Sequence, residues 1–178
     1  MSGNQNSREQ GMEKYFFQAS TVDFKKIPGS PIAYWASRAT LDVFANSHSV
    51  SSFAKAKSGQ NTGNNSRFVR QWFEVSISNV GFGYKNLDET NSSHPKWFPY
   101  NKGGTPVPWW GNQDHVIAFD DENFQLLSKL GNKLPSRSRY FKPSITWSNI
   151  GSSGARFRYL PTGFVFDVSG MSLFVEDE

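Results

Sequence analysis

The chain has 178 residues, 16% of them aromatic, no cysteine and a formal net charge of +4. Such a length suits one domain of ordinary size, and the missing cysteine excludes disulfide frameworks, thiol catalysis and Cys-based zinc sites. No apolar run approaches the roughly 20 residues of a membrane helix, and the polar opening MSGNQNSREQGMEK lacks the hydrophobic core of a secretory signal, so the expected location is the cytoplasm and no membrane partner is expected.

Residues 1–15 read as a disordered polar lead-in, followed by one domain over 16–178. Gly29-Ser-Pro31 is a turn with a proline suited to start a helix, and Ile32, Trp35, Ala36, Ala39, Val43 and Phe44 then recur at helical spacing. The spacing predicts a helix from Pro31 to Ala45. Ser58 to Ser66 is too polar to bury itself and reads as a loop, leading into a predicted strand from Arg67 to Val75 with a dense aromatic face. Asn79 to Pro108 is rich in Gly and Pro, with a short strand at Trp97–Tyr100. His115 to Phe119 reads as a strand, and Asp121 to Lys129 as a helix capped by Asp120 or Asp121. Tyr140–Phe141, Ser144–Trp147, Ala155–Leu160 and Phe164–Val168 read as further short strands. The sum is an α+β fold with a mixed, mostly antiparallel sheet and a few helices.

Charge is distributed unevenly. From Asn123 to Phe166 there are 44 residues with no Asp or Glu but seven cations: Lys129, Lys133, Arg137, Arg139, Lys142, Arg156 and Arg158. Val43 to Phe73 also lacks acids and holds Lys55, Lys57, Arg67 and Arg70. Stretches of one sign concentrate positive potential, for which a polyanion such as nucleic acid is the common partner.

Three loops carry a binding logic, each with a plainer reading beside it. Gln60 to Arg67 sets amides and a guanidinium on a glycine-bearing loop; Asn and Gln pair with adenine edges and Arg with guanine, whereas a polar turn also needs Asn and Gly. Tyr100 to Gly104 puts Lys102 beside two glycines that let backbone amides approach a phosphate, or merely turn the chain. In Ser136 to Lys142, hydroxyl, guanidinium and ammonium groups suit phosphate oxygens, while Phe141 reads as a core residue. Enzyme signatures are missing: there is no Gly-rich nucleotide loop, no Walker lysine and no His-Glu-x-x-His. His48, His94 and His115 lack metal-ligand spacing and read as solvated or core residues. No catalysis is expected from this chain alone.

From Tyr140 the order of residues becomes specific. Tyr140-Phe-Lys-Pro-Ser-Ile-Thr-Trp147, Ser148-Asn-Ile-Gly-Ser-Ser-Gly154 and Phe157-Arg-Tyr-Leu-Pro-Thr-Gly-Phe-Val-Phe-Asp167 together resemble the post-catalytic region of the PglX-type adenine-specific DNA methyltransferases of BREX phage-exclusion systems. Lys26 to Trp35, Thr62 to Trp72, Lys96 to Gly104 and Trp110 to Asn112 match in the same order, so the resemblance runs from about Phe16 to Phe174. Thr105-Pro-Val-Pro108 departs from a stretch that is usually charged in that family. The resemblance implies a partial target-recognition domain that binds double-stranded DNA. It also implies that S-adenosylmethionine and the flipped adenine belong to a catalytic part of the parent, since neither a Gly-containing cofactor motif nor Asn-Pro-Pro-Tyr occurs here. A truncated gene product, a recombination cassette and an excised domain all fit that pattern.

On this reading Gln60, Asn61, Asn64, Asn65 and Arg67 contact bases or backbone, and Lys102, Arg137, Arg139, Lys142, Arg156 and Arg158 contact phosphates. A rival reading is a protein-interaction piece that docks on a methyltransferase core or another BREX component, through aromatic patches. A third, a carbohydrate-binding module, is suggested only by Trp109–Trp110 and by the loop-rich β structure.

Overall fold

Serine, not proline, starts the helices of the N-terminal segment. In the computed structural model, which describes residues 16–92, 95–129, 134–149 and 156–175, helix α1 covers Thr21–Phe24, and the Ser20 hydroxyl accepts from the Val22 N–H. Residues 31–37 form turns, closed by Ala33 N–H to the Pro31 carbonyl and Ala36 N–H to the Ala33 carbonyl. Helix α2 then spans Arg38–Asn46, with Ser37 Oγ accepting from the Thr40 N–H at 3.1 Å. The helix expected from Pro31 is thereby corrected to a start at Arg38: a side-chain acceptor at Ser37 satisfies an end that Pro31 only permits. The expectation for residues 1–15 lies outside the described residues.

The chain divides into two units, Met1–Ser52 and Phe53–Glu178. The strands lie in the second. They are β1 (Ala54–Lys57), β2 (Val69–Gln71), β3 (Trp97–Asn101), β4 (His115–Ala118), β5 (Ser144–Thr146), β6 (Arg158–Leu160), β7 (Val165–Phe166) and β8 (Ser172–Val175). They form two four-stranded sheets, ordered β1-β8-β5-β6 and β2-β4-β3-β7. All pairings are antiparallel except β3 with β7. With α3 (Asn65–Phe68) and α4 (Asp121–Lys129) beside them, the architecture is α+β. Among the described residues no helix is long and apolar enough to cross a membrane.

Phe98, Tyr100, Ile117, Phe119, Phe141, Val165 and Phe166, each 1% exposed or less, form the centre of one core that also takes Phe174 from β8. Each such side chain contributes about 1.5–3 kcal/mol by leaving water. The two sheets are also joined by polar bonds. Asn101, at the end of β3, donates through Nδ2 to Thr146 Oγ1 of β5 at 2.7 Å and to the Gly170 carbonyl at 3.1 Å. Tyr100 donates to Asp167 Oδ2 at 2.5 Å. Burial, and then the Asp167 charge, push the Tyr100 phenol well above its ordinary range.

Three expectations change here, and one strand pair is added. The strand expected over Arg67–Val75 is broken: α3, capped by Asn64, gives way to β2, and Trp72–Glu74 is a 3-10 turn that Gln71 N–H closes onto Glu74 Oε2 at 2.6 Å. Tyr140–Phe141 is not a strand, because Phe141 takes φ +66 and buries itself while its N–H bonds the Phe164 carbonyl. The Ser58–Ser66 loop does bury residues, with Gln60 at 0% and Thr62 at 2% exposed. Finally, β1 and β8, which the apolar pattern did not announce, pair with each other.

Candidate nucleic-acid interface

The loop before β2 is held by its own asparagines. Asn61 Oδ1 accepts from the Gly63 N–H at 3.1 Å, Asn64 Oδ1 from the Arg67 N–H at 3.1 Å, and Asn65 Oδ1 from the Thr62 hydroxyl at 2.6 Å. Gly63 sits at φ +64, the left-handed turn that glycine permits. The amide oxygens therefore serve the turn, and the exposed Asn61, Asn64 and Asn65 keep their amide N–H groups as outward chemistry. Arg67 is exposed, its guanidinium 5.3 Å from the centre of the Phe68 ring. Gln60 departs from the set. Its side chain is fully buried, its Nε2 donates to the Asn61 carbonyl at 2.7 Å, and its backbone pairs with Asp167. Its reading as a DNA contact is corrected to a role inside the fold.

Lys102 follows β3 on a turn through Gly103 (φ +80) and Gly104 (φ +123). A Cβ at Gly103 would lie 2.7 Å from the Ser169 carbonyl oxygen, so this glycine is required by packing. The turn brings half-buried Lys102 into a cleft of about 470 Å³ with Asn65, Ser66, Arg70, Gln71, Glu74 and His115. Two of the predicted residues, Asn65 and Lys102, thus meet although 37 positions separate them. Arg70 is aimed by hydrogen bonds to the Ser66 carbonyl at 2.6 Å and the Val69 carbonyl at 2.7 Å. His115 Nδ1 is buried with no partner, and burial, followed by the Lys102 charge, lowers the imidazole below its ordinary value. Arg70 and His115 were not in the predicted set. The acid-free stretch from Val43 to Phe73 does signal Arg70, whereas nothing local in the sequence signals His115, whose surroundings come from the Lys102 turn.

Arg139 and Lys142 line a second groove, of about 810 Å³, floored by Ser144, Ile145, Tyr159 and Phe174 of β5, β6 and β8. The Arg139 guanidinium lies 5.7 Å from the Phe174 ring centre. Arg137 and Lys142 are exposed, as is Arg156 before β6. Arg158 departs from this set. It is 1% exposed and reaches the Val107 carbonyl (3.4 Å) and Ser148 Oγ (3.3 Å), leaving Nε unpartnered. Its reading as a phosphate contact is corrected: in strand β6 its position alternates inward with Leu160, while Tyr159 faces out. Among the described residues no group of His, Asp and Glu is placed to hold a metal ion; His94 lies outside them.

Fold and site together define an α+β module whose cations gather along clefts of its strand-bearing unit. Over 171 residues the chain is 36% identical to the adenine-specific methyltransferase PglX of Lacticaseibacillus casei (strain Zhang), which covers 92% of this chain and 14% of that protein. Over 155 residues it is 36% identical to the adenine-specific methyltransferase BrxX of Escherichia coli O9:H4 (strain HS), covering 87% of this chain and 12% of that protein. No family model matches. The chain is therefore related, over nearly its whole length, to a segment of the PglX-type adenine-specific methyltransferases, and it spans about an eighth of the length of these relatives.

Proposed function

We propose that Phe53–Glu178 is a DNA-binding target-recognition segment of an adenine-specific (N6) DNA methyltransferase of a phage-defence system. The observation that carries this reading is the convergence of Asn65 and Arg70, from one segment, with Lys102, from another, on one cleft. Exposed Arg137, Lys142 and Arg156, with Arg139 in the groove over β5, β6 and β8, carry the same charge sign. Such cations fix a duplex through its phosphates, and the amides of Asn61, Asn64 and Asn65, with Arg67, are the groups suited to base edges.

Methyl transfer lies outside this reading. The methyl donor is assigned to the rest of such an enzyme.

A second reading, docking on a methyltransferase core or another component of the defence system, has one specific observation in its favour. Trp109, Trp110, Phe157 and Tyr159 are each about half exposed or more and adjoin through the Trp109–Arg158 bridge and a Trp110–Tyr159 stack. A mobility shift with the full chain and duplex DNA at low salt separates the two. The DNA-binding reading expects a complex that dissolves as salt rises. Co-purification with a catalytic core and no duplex binding at any salt overturns it in favour of docking.

A further inference from the structure

The sheet β1-β8-β5-β6 ends at β6 in a row of open aromatic rings. Along β6, Arg158 and Leu160 turn inward and Tyr159 turns outward. Ile145 of β5 pairs with Tyr159 and Thr146 with Arg158. The same register sets Trp147 beside Phe157, whose rings meet edge to face at 5.8 Å. Trp110 stacks on Tyr159, with 6.4 Å between ring centres and 28° between planes. These rings are presented to solvent: Trp109 is 81%, Trp110 58%, Phe157 52% and Tyr159 49% exposed.

Backbone, not burial, holds them there. Trp109 takes φ +69, an outlier for so bulky a side chain. Its N–H donates to the Phe157 carbonyl at 2.8 Å and its carbonyl accepts from the Tyr159 N–H at 2.9 Å, which clamps it beside β6. Buried Arg158 donates to the Val107 carbonyl and to Ser148 Oγ, joining the loop before Trp109 to the turn after Trp147. Strain of this kind persists only where its surroundings enforce it, and it clusters at ligand-binding sites.

The charge beside the rings decides what they face. Tyr159 and Ile145 also line the groove of about 810 Å³ that holds Arg139 and Lys142, and no residue lining it is acidic. Exposed Arg156 directly precedes Phe157. A protein partner would be served by the rings alone, since charged residues are depleted at the centres of such interfaces. Open rings next to a cationic groove match the two needs of an unpaired strand: faces on which bases stack, and cations along its backbone. We infer that Trp109, Trp110, Phe157 and Tyr159 form a stacking platform for single-stranded DNA, whose phosphates lie along the groove of Arg139 and Lys142 and beside Arg156. The inference shares a charge sign with the duplex-binding reading but does not rest on it, because a paired duplex keeps its bases stacked on one another.

The test measures tryptophan quenching and affinity of the full chain with an oligothymidylate of roughly 16 nucleotides, the upper end of single-strand sites. An abasic oligomer of equal length and charge, and a paired duplex, are measured beside it. Stacking predicts that the oligothymidylate binds about five- to a hundredfold tighter than the abasic oligomer. Trp110→Ala and Tyr159→Ala move that ratio toward one, while Tyr159→Phe, which keeps a ring, retains it; none of the three changes duplex binding. Trp110→Ala, at an exposed loop position, is expected to melt like the wild type, so a folding defect does not mask the result. A wild-type ratio of one, however tightly both oligomers bind, overturns the inference, because charge alone then suffices. So does a ratio that both alanine variants leave intact. A ratio of one, with co-purification of a catalytic core lost in the alanine variants, assigns the rings to protein docking. Quenching by a neutral oligosaccharide but not by the oligothymidylate assigns them to sugar. Failure to bind the paired duplex counts against the earlier reading only, and the oligomer ratio still decides this one.

Discussion

Arg158 is 1% exposed and Lys102 is half-buried in an open cleft, so the same nominal charge has different consequences at the two positions. Replacing Arg158 by Met removes donors to the Val107 carbonyl and Ser148 and disturbs the packing around its stem. The expected loss is on the order of 1–3 kcal/mol of stability, read as a lower denaturation midpoint, with little direct effect on a polyanion. An unchanged midpoint and weakened DNA binding would reverse that assignment. His115 gives a pH signature with a definite sign. Its folded form disfavours the proton, chiefly through burial and then through Lys102, while Asp114, Asp167 and Glu74 pull the other way. The unfolded chain therefore binds more protons below its ordinary value of 6.5, and stability falls as pH drops through that value, levelling off below the lowered folded one. His115→Gln is expected to flatten this decline in thermal melts taken between pH 7 and 5; an equally steep decline in the variant would assign it elsewhere.

Among the elements, the approach of the Gly59–Gln60 segment to β7 is the tightest constraint. A Cβ at Gly59 would sit 1.9 Å from the Phe166 carbonyl oxygen, beside the Gln60 N–H that donates to that same oxygen at 2.7 Å. Gly59→Ala must push this segment away and break the bond, so loss of cooperative unfolding, or a midpoint lowered by several degrees, is expected; a melt like that of the wild type would refute the packing described. The elements read correctly from sequence are those whose signals are local. Trp97–Asn101 and His115–Ala118 are short apolar runs bounded by turns, and Asp121–Lys129 is announced by Asp120, whose Oδ1 accepts from the Asn123 N–H at 3.3 Å. What was not legible depends on distant partners. Ala54-Lys-Ala-Lys57 has little apolar character, and becomes a strand because Ser172–Val175 pairs with it. Phe141 has strand-like chemistry but a positive φ that only its buried setting imposes. The site divides the same way: composition singled out Asn65 and Lys102, whereas their meeting in one cleft, the entry of His115 and the withdrawal of Gln60 and Arg158 all follow from tertiary contacts.

At the scale of the molecule, the positive character of Phe53–Glu178 depends on where its acids go. Asp167, the residue that ends the acid-free run, is 4% exposed, receives the Tyr100 hydroxyl and accepts from the Ser169 N–H at 2.6 Å. It is used inside the fold and takes no place on the outer surface beside Arg137, Lys142 and Arg156. Among the described residues those three cations and Lys102 stand in no ion pair. Surface cations that stand in no ion pair release counterions when they meet phosphates, which makes affinity fall with salt in proportion to their number. The most direct measurement is the slope of log K against log salt for the full chain on duplex DNA, wild type beside Lys102→Ala. With about five phosphates neutralised the slope is expected near −4 to −5, and Lys102→Ala is expected to reduce its magnitude by about 1. A flat slope, or the same slope in the variant, would contradict the account.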